Sequence, residues 1–147
     1  MEGITGPYDL ERFVVAQDAA RTYERALQEL RQGKKTSHWM WFVFPQIEGL
    51  GHSPASKKFA ISSLDEARKY LQHDVLGPRM RECVDILAQF SDRTAEQIFG
   101  DTDAEKLHSS MTLFARAAPD EPRFQRILDG YFAGVPDAAT DKRLIPS

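Results

Sequence analysis

Apolar residues recur at helical spacing along most of this chain. Tyr23, Ala26, Leu27 and Leu30 fall at i, i+3, i+4 and i+7, with Asp18 placed to cap the segment and Gly33 to stop it, which predicts an amphipathic helix. Tyr8, Phe13 and Val14 predict a shorter helix beginning after Asp9. Ser63-x-x-Glu66 has the form of a capping box, and Leu64, Ala67 and Leu71 give the helix behind it a buried stripe. Gly77-Pro78 predicts another start, with Met80, Cys83, Val84, Leu87 and Phe90 on one face. Thr94-x-x-Gln97 is a second capping box. Leu107, Met111 and Phe114 continue the helical spacing, and after Pro119 and Pro122 so do Phe124, Ile127, Leu128 and Tyr131. No hairpin turn joins two alternating segments, and strands do not alternate with helices, so the pattern predicts a mainly α fold. The expected architecture is a single compact multi-helical domain over residues 1–147, with 1–8 and 136–147 as loosely ordered ends. Trp39 to Phe44 fits a buried strand as well as a helix cut short by Pro45.

Composition agrees with one core. The chain has 147 residues, 41% of them hydrophobic, including nine Phe, four Tyr and two Trp, at a net charge of -3, which is the reverse of a disordered composition. No window suits a membrane span and the first residues lack the order of a signal peptide, so a cytoplasmic protein is expected. One cysteine, Cys83, excludes an internal disulfide and fits a reducing compartment. Charge is uneven: residues 31–81 carry a local +5, leaving -8 on the remainder. That polarity suits a small anionic ligand, while a pI of about 5.8 argues against sequence-specific DNA binding. Oligomeric state has no signal here.

The densest segment is Lys34-Lys35-Thr36-Ser37-His38-Trp39-Met40-Trp41-Phe42-Val43-Phe44-Pro45-Gln46, followed by Gly49-Leu50-Gly51-His52-Ser53-Pro54. Together with Glu66 to Leu71, the LG-x-R of Leu76 to Arg79 and the K-x-x-SSMTLF of Lys106 to Phe114, it resembles the bacterial domain-of-unknown-function family 1810, some of whose members are mislabelled calpastatin. The resemblance runs from about Leu10 to the neighbourhood of Phe132. It implies a compact, mainly α-helical fold and carries over no catalytic residue. Phe59 departs from the tyrosine the family favours there.

Several groups are candidates for ligand chemistry, each beside a plainer reading. Trp39 and Trp41 belong in a core, or one ring stacks on a ligand's base or sugar. Lys34, Lys35, Ser37, His38 and Gln46 frame them with polar groups that folding alone does not demand. Gly49 and Gly51 before Ser53, a helix cap, form either a structural turn or an anion-binding loop. Arg79 is a surface arginine or a phosphate clamp. Ser110 shares a helix face with Asp103, Leu107 and Phe114; its hydroxyl either bonds back one turn or joins Lys106 in lining a pocket. Glu48 is a general base only if buried. The four histidines contain no metal-spacing pair, so no metal or other cofactor is expected, and no serine-nucleophile elbow occurs. Two functions remain: a small-molecule-binding or hydrolytic domain for an anionic, nucleotide-like ligand, or a non-catalytic protein-interaction module. The first predicts that Ser37–Gln46 and Lys106–Phe114 face each other across a cleft.

Overall fold

In the computed structural model, which describes residues 8–90 and 92–144, the chain forms α1 (Glu11–Asp18), α2 (Thr22–Gln32), α3 (Met40–Val43), α4 (Pro54–Lys58), α5 (Leu64–Gln72), α6 (Leu76–Leu87), α7 (Ala95–Phe99), α8 (Asp101–Ala117), α9 (Pro122–Tyr131) and α10 (Ala138–Leu144). Among the described residues the only β-pairing is an isolated parallel bridge between Ile47 and Ile61. The fold is mainly α, as the periodicity predicts. No described helix is long and apolar enough to cross a membrane.

Helix α8 is the centre, in contact with α5, α7, α9 and α10. Its second half is buried almost all round, from Leu107 through Ser110, Met111 and Thr112 to Phe114, as a helix enclosed by others must be. Aromatic rings tie the layers together: Phe13 meets Tyr70 edge-on at 5.1 Å, Tyr70 meets Phe114 at 5.4 Å, and Phe114 meets Phe124 at 5.8 Å. Each such ring contributes roughly 2 to 3 kcal/mol through apolar area removed from water. Phe59 belongs to this packing, with Phe13 and Phe42 against it.

The helix stripes match the sequence pattern, while several termini differ. Tyr23, Ala26, Leu27 and Leu30 are buried on α2, and Gly33, at φ 73°, closes it. Asp18 does not cap α2. The chain turns through Ala20 and Arg21, at φ 52° and 57°, and the Asp18 carboxylate instead accepts from Arg79 Nη2 at 2.8 Å. The capping box at α5 is half formed: Ser63 Oγ accepts from Glu66 N–H, but Glu66 Oε1 takes the N–H and hydroxyl of Ser62, and Oε2 lies 3.0 Å from Arg12 Nη2. Thr94 and Gln97 form both halves of theirs. Helix α6 starts at Leu76, ahead of Gly77-Pro78, because His73 Nδ1 accepts from the N–H groups of Val75 and Leu76. Gly77 is required for closeness: a Cβ there would lie 2.2 Å from the Leu71 carbonyl oxygen. Trp39 to Phe44 resolves as the single turn of α3 rather than a strand.

Within the expected loose end from residue 136, Ala138–Leu144 form α10. Asp137 Oδ2 accepts from the N–H and hydroxyl of Thr140 and from Ser109 Oγ, Asp137 N–H donates to Thr112 Oγ1, and Arg116 grips Asp141 through two 2.9 Å bonds. At the other end, Tyr8 is tied to Asp65 at 2.9 Å. The remaining parts of the expected loose ends, 1–7 and 145–147, lie outside the described residues.

Candidate functional site

The conspicuous segment after α2 is organised by a residue outside it. Glu29, on the last turns of α2 and only 5% exposed, accepts from Thr36 N–H (2.8 Å), Ser37 N–H (3.0 Å), Ser37 Oγ (2.5 Å) and Trp39 Nε1 (2.9 Å). Burial alone would raise its carboxyl; these donors overcome that and hold it at about 2. Ser37 and Trp39 are therefore consumed in fixing the loop. Trp39 is buried against Phe44 and Phe99 and presents nothing outward.

Beside this clamp lies a charged triad. Asp103, in the first turn of α8, receives Lys35 Nζ at 2.8 Å and Lys106 Nζ at 3.2 Å. Burial pushes its carboxyl up, but the two ammonium groups outweigh that and keep it below the usual range. Lys35 is nearly buried, with its ammonium 5.0 Å from the Trp39 ring centre; Lys106 sits 4.5 Å from that of Trp41.

Trp41 forms one wall of a cavity of ≈ 420 Å³ between the 46–51 loop, α8 and the start of α10. Gln46, Leu50 and Gly51 continue that wall, and Glu105, Lys106 and His108 project from α8 opposite. The two segments thus face each other across an open cleft, with Gln46 and Lys106 on its walls. Its volume lies in the usual range for small-molecule sites, roughly 300 to 1,000 Å³. Trp41 is half-buried and its indole N–H makes no hydrogen bond among the described residues, the opposite of Trp39. The His108 ring stacks on Phe132, with centroids 4.2 Å apart, and its Nε2 lies 2.7 Å from the Val135 carbonyl oxygen. A carbonyl only accepts, so Nε2 carries the proton.

Other candidates sit elsewhere. Lys34 and His38 are exposed and outside the cleft wall. Ser110 is fully buried, lines no part of this cleft, and its hydroxyl has no hydrogen-bond partner among the described residues, so it does not bond back one turn. Arg79 bonds Gln17 and Asp18 and covers the Tyr23 ring at 4.7 Å, which fastens α6 to α1 and α2. Ser53 caps α4 by accepting from Ser56 N–H, with Pro54 first in the helix, yet α4 has only five residues and carries little dipole. The glycines have packing reasons. A Cβ on Gly51 would lie 2.7 Å from Ser56 Cβ, and one on Gly49, at φ 93°, 1.5 Å from Arg143 Nη2. Arg143 Nε donates to the Glu48 carbonyl, so the glycine loop cradles the chain's own guanidinium. Glu48 is exposed, which removes its reading as a buried base. Cys83 is buried and burial pushes its thiol up to about 12, leaving it inert as a nucleophile.

Glu29, His108 and Arg143 were not among the residues singled out by the sequence. His108 and Arg143 owe their roles to partners distant in the chain; for Glu29, a glutamate in the last turn of an amphipathic helix eight residues before a serine is the one local hint. No cluster of three or more His, Cys, Asp or Glu suited to a metal occurs among the described residues.

A family model described as "Protein of unknown function (DUF1810)" matches residues 7–144. The crystal structure of the conserved hypothetical protein Rv1873 from Mycobacterium tuberculosis superposes with a TM-score of 0.92 at 50% sequence identity, covering 96% of this chain and 99% of that one. No curated protein matches the chain.

Proposed function

The chain belongs to the DUF1810 family, whose description supplies no chemistry, and from that premise we propose that the Trp41 cleft binds a small anionic, nucleotide-like ligand. The observation that carries this reading is the contrast between the two tryptophans: Trp39 is buried with its N–H on Glu29, while Trp41 walls a cleft with its N–H unused among the described residues and an ammonium 4.5 Å from its ring. A planar group gains stacking area there, and Gln46 offers a donor and an acceptor for its edge. Binding is favoured over hydrolysis. Ser109, the hydroxyl nearest a carboxylate in the cleft wall, is 6% exposed, and its partner Asp137 already accepts two bonds from Thr140 as a helix cap. No observation favours the interaction module: the exposed large apolar residues among those described are Val15 and Val135, too few for a docking face.

Thermal-shift screening of nucleosides, nucleotides and sugar phosphates tests the reading. The expected result is stabilisation of the wild type by at least one planar ligand and its loss in Trp41→Ala. Equal stabilisation of wild type and Trp41→Ala, or none by any compound, would overturn it.

A further inference from the structure

The groove does not end at Trp41. Two further hollows flank the 47–51 loop, one of ≈ 450 Å³ with Ile47, Lys142 and Arg143 in its wall, the other of ≈ 300 Å³ with Gly49, His52 and Lys57. Glu48 and Arg143 belong to both; Leu50 joins the first to the Trp41 cleft, and Gly51 joins the second to it. The three hollows adjoin one another around the loop, and α10 contributes Ala139, Lys142 and Arg143 to their walls.

Charge is distributed unequally along them. At the Trp41 end, Lys35 and Lys106 share Asp103, leaving one surplus positive charge, and Glu105 and Asp137 on the same wall oppose it. At the other end the ammonium groups of Lys57 and Lys142 make no ion pair or hydrogen bond among the described residues, and the Arg143 guanidinium bonds only the Glu48 carbonyl there. Arg12, Arg79, Arg81, Arg116 and Arg123, by contrast, each hold a carboxylate. The acid at this end is Glu48, so three cations stand against one anion. Arg143 is anchored through Nε over Gly49, which leaves both Nη groups for a tetrahedral oxyanion.

Resting on the reading of the Trp41 cleft, we propose that Lys57, Lys142 and Arg143 form a phosphoryl subsite, and that the ligand class is a nucleoside phosphate with its base at Trp41 and its phosphoryl group at Arg143. The local basic excess of residues 31–81 supplies Lys57 alone to this subsite: Lys35 and Arg79 are spent on Asp103 and Asp18, and the other two cations come from α10.

Calorimetry at low ionic strength with AMP, adenosine and inorganic phosphate tests this on the wild type, the double variant Lys57→Ala/Lys142→Ala and Glu48→Gln. Both lysines are exposed and their ammonium groups hold no partner among the described residues, so the double variant should keep its structure. The wild type should bind AMP about tenfold more tightly than adenosine, as charge-assisted hydrogen bonds imply. The double variant should lose about that factor for AMP and nothing for adenosine, and Glu48→Gln should bind AMP more tightly. Equal binding of AMP and adenosine by the wild type, or unchanged AMP affinity in the double variant, would overturn the subsite while leaving the Trp41 reading in place. Phosphate or AMP binding that survives Trp41→Ala but not the double variant supports the subsite and overturns the Trp41 reading. Binding of none of the three probes overturns both.

Discussion

A single carboxylate, Glu29, holds the loop from Thr36 to Trp39 against α2 through its four accepted bonds. Because its carboxyl sits at about 2 in the fold against an ordinary 4.5, the stabilisation is complete above about pH 4.5 and is lost as pH falls toward 2. Glu29→Ala strands buried donors and should cost roughly 3 kcal/mol or more at pH 7; Glu29→Gln keeps one accepting oxygen and should cost less. Urea denaturation checks both, and the gap between wild type and Glu29→Gln should narrow from pH 7 to pH 3. A gap independent of pH would show that the carboxylate charge contributes nothing. Ser110 is the converse case, a buried hydroxyl with no partner among the described residues. Ser110→Ala removes an unsatisfied group and should leave stability unchanged or raise it by up to about 1 kcal/mol, with AMP binding intact. Lost binding would return Ser110 to the site.

Among the helices, α10 depends most on specific polar contacts. Of the SSMTLF string the sequence singled out Ser110, yet it is Ser109 and Thr112 that hold a partner, receiving Asp137, 28 and 25 residues onward. Asp137→Ala should cost about 1 to 2 kcal/mol as a lost cap and docking point. Hydrogen exchange should then accelerate across residues 138–144 while α8 stays protected; uniform acceleration of both would mean α10 is not a separable unit. Apolar periodicity made α2, α5, α8 and α9 legible, since each buries a stripe whose spacing is local. What periodicity missed is a local histidine cap, the His73 ring that starts α6, and contacts far apart in the chain, namely the Arg79 partner that takes Asp18 away from α2 and the anchors of α10.

At the scale of the whole molecule, the two strings do meet across one cleft through Trp41, Gln46 and Lys106, but of the polar interruptions that led the sequence to expect it, His38 and Ser110 stay out of the cleft and Gln46 alone lines it. Which tryptophan faces outward was not legible, because the distinction rests on Glu29, packed from a neighbouring helix against one indole and not the other. That distinction is testable by fluorescence. Trp39→Phe removes a buried hydrogen bond and leaves Trp41 as sole emitter; it should lose roughly 1 to 3 kcal/mol of stability, emit at longer wavelength, and be quenched by AMP. Trp41→Phe leaves Trp39, buried at 1% exposure beside Phe44 and Phe99; it should keep stability within about 1 kcal/mol, emit at shorter wavelength and respond weakly to AMP. The two variants separate fold from site, since stability falls in one and the ligand response in the other. Quenching of Trp39 as strong as that of Trp41 would mean that AMP acts through the core rather than the cleft.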